Sequence, residues 1–193
     1  DGLCSGISTI YFITITSIAL LLQMAGNIDS TISILMIGSL LGFLVYNFPP
    51  AKIYLGDTGS NFVGLMIAVT ALYSFKVATV TSLIVPLLIL ATPIIDVFFA
   101  IVRRSLKKQN PFTNPDKEHL HHQLLKMKFS TKTSLLVIYF INFAFSGATV
   151  LYALGDFDLA LPLYIALMIV FLFIVLKTNI LFERKGDKHV KKS

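Results

Sequence analysis

A short polar segment between two apolar stretches contains residue types suited to chemistry. Residues 47–60, here named the Asp57 segment, read NFPPAKIYLGDTGS. Two prolines without an amide donor are expected to end the incoming helix, and Gly56 and Gly59 allow the backbone to turn tightly around Asp57. The segment therefore predicts a carboxylate held at the entrance of the next helix.

A carboxylate at a helix entrance has two interpretations. Magnesium prefers one or two carboxylates together with phosphate oxygens, so Asp57 is suited to hold Mg²⁺, with Mn²⁺ as an alternative, beside a phosphate. Thr58 or Ser60 would then cap the outgoing helix, whose first amides also face the phosphate. Alternatively, Asp57 is only an N-cap, and the motif alone favours this simpler role because such caps are common.

A second polar segment contains three histidines within four residues. Residues 110–122, here named the histidine segment, read NPFTNPDKEHLHH. Asn114 as cap and Pro115 at the first helical position predict a short helix. The apolar stripe of this helix consists of Leu120, Leu124 and Met127. Such a stripe predicts a helix that lies along the membrane interface.

The three histidines are His119, His121 and His122. Zinc needs three or four ligands of suitable geometry, and no companion cysteine is near, so the histidines do not indicate a zinc site. Imidazoles among cationic side chains are better suited to donating hydrogen bonds to a pyrophosphate, whose charge would also keep them protonated. The cationic neighbours are Lys117, Arg103 and Arg104. A solvated basic loop that serves only membrane topology explains the composition equally well.

Asp96 lies inside an apolar stretch beside Pro93. A charged side chain there costs at least ~3 kcal/mol on insertion scales, and such residues are usually functional or internally paired. A helix kinked at Pro93 would bring Asp96 and Arg103 to one face near the membrane interface. The sequence leaves open whether Asp96 is a structural partner of Arg103 or a residue of the site.

Long apolar stretches must position these segments. The chain has 193 residues, of which 55% are hydrophobic and 13% charged, whereas a soluble domain has about 25% charged residues. Crossing hydrocarbon takes about 20 helical residues, and backbone groups inside lipid must be satisfied within the structure. We therefore predict an all-α, polytopic membrane protein, a helical bundle with about six transmembrane helices. The stretches are residues 7–25, 32–46, 62–75, 77–102, 135–154 and 159–176.

The basic residues predict an orientation, because cytoplasmic loops retain Lys and Arg. With the first residue in the cytoplasm, the outer loops hold one basic residue, Lys76, and the other fifteen lie on the inner side. This asymmetry accounts for the net charge of +6 and argues against nucleic acid as a partner. We predict a membrane domain, residues 1–182, with cytoplasmic termini and cytoplasmic loops 47–60 and 103–132, followed by a basic disordered tail, residues 183–193.

The sequence gives no indication of a disulfide or of a cleaved signal peptide. Cys4 is the only cysteine, which excludes an intramolecular disulfide. The chain begins with Asp, and its first apolar stretch lacks the basic region and cleavage site of a signal peptide. We therefore expect it to be a fragment of a longer protein.

Three stretches in order carry a resemblance to a known family. They are residues 1–3, DGL, followed by Gly6 and Ser8; residues 55–60, LGDTGS; and residues 116–122, DKEHLHH. They resemble, in turn, the end of a doubled aspartate-glycine-leucine motif, a magnesium-site motif and the histidine loop of GlcNAc-type enzymes. All three belong to the polyprenyl-phosphate sugar-1-phosphate transferase family, and the resemblance spans nearly the whole chain.

The resemblance implies transfer of GlcNAc-1-phosphate from UDP-GlcNAc to undecaprenyl phosphate, with release of UMP, on the cytoplasmic side of a bacterial plasma membrane. Mg²⁺ held partly by Asp57 would bridge the pyrophosphate, which suits a reaction that depends on positioning and charge neutralisation. In the family pattern Asn47 and Tyr54 hold the uracil, Tyr54 by stacking, and Asp1 lies close to the nucleotide. The residues that would contact the phosphates or the sugar are His119, His121 and His122.

This chain departs from the family pattern in two ways. The family's paired aspartates and the first aspartate of its doubled motif are absent, which implies that this segment alone is inactive. Lys117 stands where many members have Arg, so a bidentate phosphate contact is in doubt there. Tyr54 is also suited to be only an aromatic residue of the membrane interface.

Two other classes of function remain as alternatives. One is a transporter or channel for an anionic substrate, which Asp96 and a basic vestibule would suit. The other is an inactive scaffold of wall-polymer synthesis. The abundance of Ile, Phe and Lys is typical of low-GC Gram-positive bacteria and points weakly to wall teichoic acid. The sequence decides neither the sugar nor whether the protein forms a homodimer.

Overall fold

The computed structural model describes residues 2–22, 28–73, 81–106 and 119–177. Those residues form eight α-helices and no strands, so the predicted all-α architecture is confirmed. The helices are α1 (Gly2–Leu21), α2 (Ile28–Asn47), α3 (Gly56–Tyr73), α4 (Thr81–Ile89), α5 (Ala91–Leu106), α6 (Leu120–Lys126), α7 (Thr131–Ala153) and α8 (Phe157–Lys177).

Helix α1 lies at the centre of the described bundle, in contact with α2, α3, α4 and α7. It contributes to both apolar clusters: Ile7 belongs to one, and Tyr11, Phe12 and Ile15 belong to the other. A helix that is apolar on all sides is stable only where other elements surround it. The composition of α1 therefore places it inside the bundle, and the other helices are arranged around it.

Four helices are long and apolar enough to cross a membrane. They are α1, residues 30–47 of α2, α7, and residues 157–175 of α8. Large apolar side chains such as Val45, Phe140 and Phe173 are exposed on their outer faces, as expected for surfaces that contact lipid. The prediction of a membrane protein is confirmed, whereas the predicted count of six spans is not.

The predicted span 77–102 is divided at Leu90 into α4 and α5. Pro93 lacks an amide donor, and its ring clashes with the carbonyl four residues earlier, which belongs to Ile89. The Leu90 amide still donates to the Pro86 carbonyl at 3.0 Å, and the Ile94 amide donates to the Leu90 carbonyl at 3.1 Å. The interruption is therefore confined to about one residue, as expected for a helix disturbed at Pro93.

Hydrogen bonds bring the ends of three helices together. Ser5 Oγ in the first turn of α1 donates to Asn47 Oδ1 at the end of α2, at 3.3 Å. The Tyr139 hydroxyl, in the first half of α7, donates to the Gly2 carbonyl. The beginning of α1, the end of α2 and the beginning of α7 therefore lie at one end of the bundle, here named the polar end.

Helix α3 also begins at the polar end. The Tyr11 hydroxyl of α1 donates to the Ile67 carbonyl of α3 at 3.3 Å. At a rise of 1.5 Å per residue, Tyr11 lies roughly 14 Å from the start of α1, and Ile67 lies roughly 17 Å from the start of α3. This contact alone fits either direction of α3. The chain before α3 decides the direction, because Asn47 Nδ2 at the end of α2 donates to the Ile53 carbonyl, three residues before α3 begins at Gly56.

Helix α6 differs from the helix predicted in the histidine segment. It begins at Leu120, because His119 has an extended backbone with φ −62° and ψ 157°. The predicted cap Asn114 and the predicted start Pro115 lie outside the described residues. Leu120 and Leu124 are buried in the apolar cluster that contains Ile7. Packing inside the bundle therefore covers Leu120 and Leu124, whereas Met127, the third residue of the predicted stripe, is 46% exposed. Contact of α6 with the membrane interface stays a prediction.

Candidate active site

The first half of the Asp57 segment is folded against the end of α2. Helix α2 ends at Asn47, just before Pro49 and Pro50, as predicted. Asn47 is only 2% exposed, and its Nδ2 donates to the Ile53 carbonyl at 2.8 Å. Because its Oδ1 accepts from α1, this one amide side chain ties the segment to two helices.

The two glycines of the segment have different structural roles. Gly56 has φ +66°, a left-handed conformation that glycine adopts without steric cost, and α3 begins there. A Cβ atom at Gly59 would lie 2.7 Å from Leu55 Cγ, and Leu55 packs against the apolar cluster of α1. The tight turn predicted around Asp57 is thus present, with one glycine for the turn and one for close packing.

Asp57 lies in the first turn of α3 as its second residue, with an exposed side chain. Its carboxylate has no hydrogen bond or ion pair with any residue that the structure describes. The interpretation of Asp57 as a simple N-cap is therefore wrong. Thr58 and Ser60 lie inside the helix and do not cap it; Ser60 Oγ donates to the Asp57 carbonyl at 3.0 Å.

An exposed and unpaired carboxylate fits magnesium, which takes one or two carboxylates and completes its shell with water and phosphate oxygens. Within residues 2–22, 28–73, 81–106 and 119–177, no three His, Cys, Asp or Glu side chains form a metal-binding group. Asp57 is thus suited to be a single protein ligand, with other ligands coming from a substrate or from elsewhere in the protein.

The two residues assigned to the uracil differ in accessibility. Tyr54 is 75% exposed, so its ring is open to stacking. Asn47 is buried and already bonded on both sides, so what the structure shows directly is that it holds the segment in shape. Contact of either residue with uracil stays a prediction.

The histidines form a row at the beginning of α6. The ring centroids of His119 and His121 lie 6.3 Å apart with nearly parallel planes, and those of His121 and His122 lie 3.9 Å apart. We name His119, His121 and His122 the histidine row. Such closely spaced rings cannot all take up protons without repelling one another.

The pKa of His121 is lowered from 6.5 to about 4, first by burial and then by the neighbouring His122 and His119, against a smaller opposing effect of Asp96. His121 is therefore neutral at pH 7 in the absence of a ligand. The sequence predicts that the histidines are protonated beside a pyrophosphate; His121 would therefore gain its proton only when such an anion binds. Its Nδ1 atom is buried and has no hydrogen-bond partner within the described ranges.

Asp96 is bonded to the histidine row. Its Oδ2 lies 3.0 Å from His119 Nδ1, and its Oδ1 accepts from the Leu120 amide at 2.9 Å. Within the described residues, Asp96 therefore pairs with His119 and with the first amide of α6, and the suggested pairing with Arg103 stays a prediction. The side chains of Arg103 and Arg104, and the whole of Asp1 and Lys117, lie outside the described residues.

The histidine row lies at the polar end. Leu120 packs in one cluster with Ile7 of α1 and Ile138 of α7, and Ile138 directly precedes the tyrosine that binds the Gly2 carbonyl. The Asp57 segment is tied to the same end through Asn47. Sequence reasoning did not find Ser5 and Tyr139, the residues that join these helices, and only their polarity within apolar stretches could have indicated them.

The described fold and site define a class: an integral membrane protein of α-helices, with an unpaired carboxylate and a row of imidazoles at one end of the bundle. Residues 1–75 match the family model described as glycosyl transferase family 4. This match and the relatives below support the resemblance of the chain to the polyprenyl-phosphate sugar-phosphate transferases of that family.

Three curated relatives are similar to the chain. One from Bacillus subtilis, named "Probable undecaprenyl-phosphate N-acetylglucosaminyl 1-phosphate transferase", is 41% identical over 99% of this chain and 52% of its own length. A Mycobacterium tuberculosis decaprenyl-phosphate N-acetylglucosaminephosphotransferase is 35% identical over 72% of this chain and 39% of its own length. An undecaprenyl-phosphate alpha-N-acetylglucosaminyl 1-phosphate transferase of Thermotoga maritima is 35% identical over 58% of this chain and 38% of its own length.

The chain thus spans about half the length of the first of these relatives and less of the others. No solved structure matches it.

Proposed function

We propose that the protein containing this chain transfers GlcNAc-1-phosphate from UDP-GlcNAc to undecaprenyl phosphate and releases UMP. The printed names of the relatives from Bacillus subtilis and Thermotoga maritima support the sugar phosphate and the lipid acceptor. The basic loops support a site on the cytoplasmic side, where nucleotide sugars are available. We further propose that the product initiates a cell-wall polymer, with wall teichoic acid as the first candidate.

The observation that carries the proposal is the meeting of two polar segments at one end of the bundle. Asn47 joins the Asp57 segment to α1, and Leu120 joins the histidine row to α1 and α7. A diphosphate at this end would be within reach of a carboxylate suited to magnesium, the first amides of α3 and several imidazoles. Phosphoryl transfer depends mainly on such positioning and charge neutralisation.

In the proposed reaction, an oxygen of undecaprenyl phosphate forms a bond to the sugar-bearing phosphorus of UDP-GlcNAc. The bond between that phosphorus and the bridging oxygen breaks, and the bridging oxygen leaves with UMP. The lipid phosphate is already deprotonated at neutral pH, so the described residues serve mainly to hold the two anionic substrates together. Tyr54 would stack on the uracil, and the histidine row would donate hydrogen bonds to phosphate oxygens.

Asp57 is the described residue suited to hold Mg²⁺ or Mn²⁺, because its exposed carboxylate has no partner among the residues that the structure describes. When bound, the metal would neutralise charge on the pyrophosphate. The amides at the start of α3 would bind the same anion from the protein side, since the N-terminal end of a helix is electropositive.

The test uses the complete protein in membrane vesicles with UDP-[¹⁴C]GlcNAc and undecaprenyl phosphate. We expect label in the lipid fraction, release of one UMP per transferred sugar phosphate, and loss of both on chelation of divalent metal. Label that remains in the aqueous phase inside the vesicles would instead indicate a transporter, and no label in either fraction would indicate a scaffold. Residues 1–193 alone should release no UMP.

A further inference from the structure

The bond between Asp96 and His119 limits which protons His119 can carry. An ionised carboxylate only accepts hydrogen bonds. Asp96 Oδ1 accepts from the Leu120 amide, and its Oδ2 lies 3.0 Å from His119 Nδ1. His119 must therefore carry a proton on Nδ1, so its neutral ring exposes an unprotonated Nε2. The hydrogen bond on one ring nitrogen decides what the other can do.

The same carboxylate decides where α6 begins. His119 precedes the helix and makes no capping bond with its own side chain. Asp96 on α5 supplies the missing acceptor for the first amide of α6, which is one of the donors that a helix leaves unsatisfied. Asp96 thus holds both the ring of His119 and the backbone that directly precedes the other two histidines.

The pair is shielded by the protein, since the side chains of Asp96 and His119 are 18% and 30% exposed. A carboxylate in an apolar helix is costly unless it is paired, and pairing alone would be satisfied by one cation. Asp96 instead bonds two different donors of the histidine segment. The position of Asp96 therefore serves to hold the histidine row in place, in addition to satisfying its own buried charge.

We propose that Asp96 is the positioning residue of the histidine row: it fixes a proton on Nδ1 of His119 and the start of α6, so that a second proton, taken up on Nε2 when a phosphate-bearing substrate binds, is donated to that substrate. The substrate part of this inference rests on the proposed function. Asp96 itself does not touch the substrate.

The decisive variant of the complete protein is Asp96→Asn. The amide oxygen can accept from Leu120 only if the NH₂ group faces His119, which forces His119 to accept at Nδ1 and carry its proton on Nε2. The start of α6 is preserved while the tautomer is reversed, and the ring can then no longer hold protons on both nitrogens without losing its bond to residue 96. We expect kcat to fall about 10- to 100-fold, the effect typical of removing the partner that orients a functional histidine.

The tautomer is measured by ¹⁵N NMR of histidine-labelled protein in bilayers, with the His119 signal identified by its loss in His119→Gln. We expect the proton on Nδ1 in the unsubstituted protein and on Nε2 in Asp96→Asn. Leu124→Ala, which loosens the packing of α6 without contacting Asp96, is the control: it should lower the thermal midpoint and leave the His119 tautomer unchanged.

Two results would overturn the inference. One is an Nε2–H tautomer in the unsubstituted protein or no change of tautomer in Asp96→Asn. The other is an unchanged kcat in Asp96→Asn at normal stability, which would make Asp96 only structural. If the unsubstituted protein lacks transferase activity, the proposed function fails, but the NMR measurement still decides whether Asp96 controls the ring of His119.

Discussion

The Asp57 segment and the histidine row lie at the same end of the bundle but are held there by different means. The Asp57 segment is shaped by neighbouring residues: Pro49 and Pro50 end a helix, Gly56 turns the backbone, and Asn47 bonds Ile53. The histidine row is held by residues distant in sequence, because Asp96 binds its first residue and Leu120 packs against α1 and α7. Local chemistry positions one half of the site, and tertiary packing positions the other.

The two regions also differ electrostatically. Asp57 is exposed and keeps its charge available for a cation, whereas His121 is shielded and neutral at pH 7. An incoming diphosphate with its metal would thus meet an open carboxylate on one side and, on the other, the His121 imidazole, which gains charge only after binding. Substitutions that affect one region and spare the other can test this division.

The largest expected effect is that of Asp57→Asn on turnover. Loss of the carboxylate charge should reduce UMP release by at least about 1,000-fold, as for other groups that stabilise charge in a transition state, while the protein stays in the membrane. Asp158→Asn is a matched control, because Asp158 is also the exposed second residue of a helix, α8, at the opposite end of the bundle. Equal rates in the two variants would remove Asp57 from the site.

The second effect concerns the packing of the histidine row. Leu124 is 5% exposed and Leu125 is 38% exposed, so the two neighbours allow a direct comparison. Leu124→Ala should lower the free energy of unfolding by about 2–5 kcal/mol through lost burial and a cavity, and Leu125→Ala should lower it much less. Unfolding in mild denaturant measures the difference. A similar loss in both variants would show that α6 is not anchored through Leu124.

The third effect concerns the local shape of the Asp57 segment. Asn47→Ala removes the bonds to Ile53 and Ser5, which should cost about 1–3 kcal/mol because the Ile53 carbonyl loses its partner. Hydrogen exchange at Lys52, whose amide donates to the Tyr46 carbonyl, should become faster. Ser5→Ala, which keeps the bond to Ile53, should have a smaller effect, and an equal effect would contradict this role of Asn47.

The smallest effect is the pH dependence caused by His121. Its pKa is lowered to about 4 in the folded protein, so the unfolded chain binds more protons between about pH 4 and 6.5. Stability should therefore fall as the pH is lowered through this window. The thermal midpoint of His121→Gln should depend less on pH there, whereas the same pH dependence in both proteins would show that His121 is not shielded.

The sequence by itself determined the features that depend on short stretches of chain. Apolar length predicted a helical membrane protein, two prolines predicted the end of α2, and two glycines predicted the turn before Asp57. These features follow from the backbone preferences of single residues and from the cost of placing polar groups in lipid. Such causes act within a few residues, so they can be inferred without knowing the fold.

Only the tertiary structure decided what Asp96 binds and where α6 begins. The sequence indicated that Asp96 needs a partner. Arg103, seven residues further on and on the same face of the helix, was the only candidate that spacing could suggest. The partner that the described residues provide, His119, lies 23 residues further along the chain. It is brought there because Leu120 and Leu124 gain burial against α1 and α7, and the free energy of that burial depends on the packed bundle as a whole.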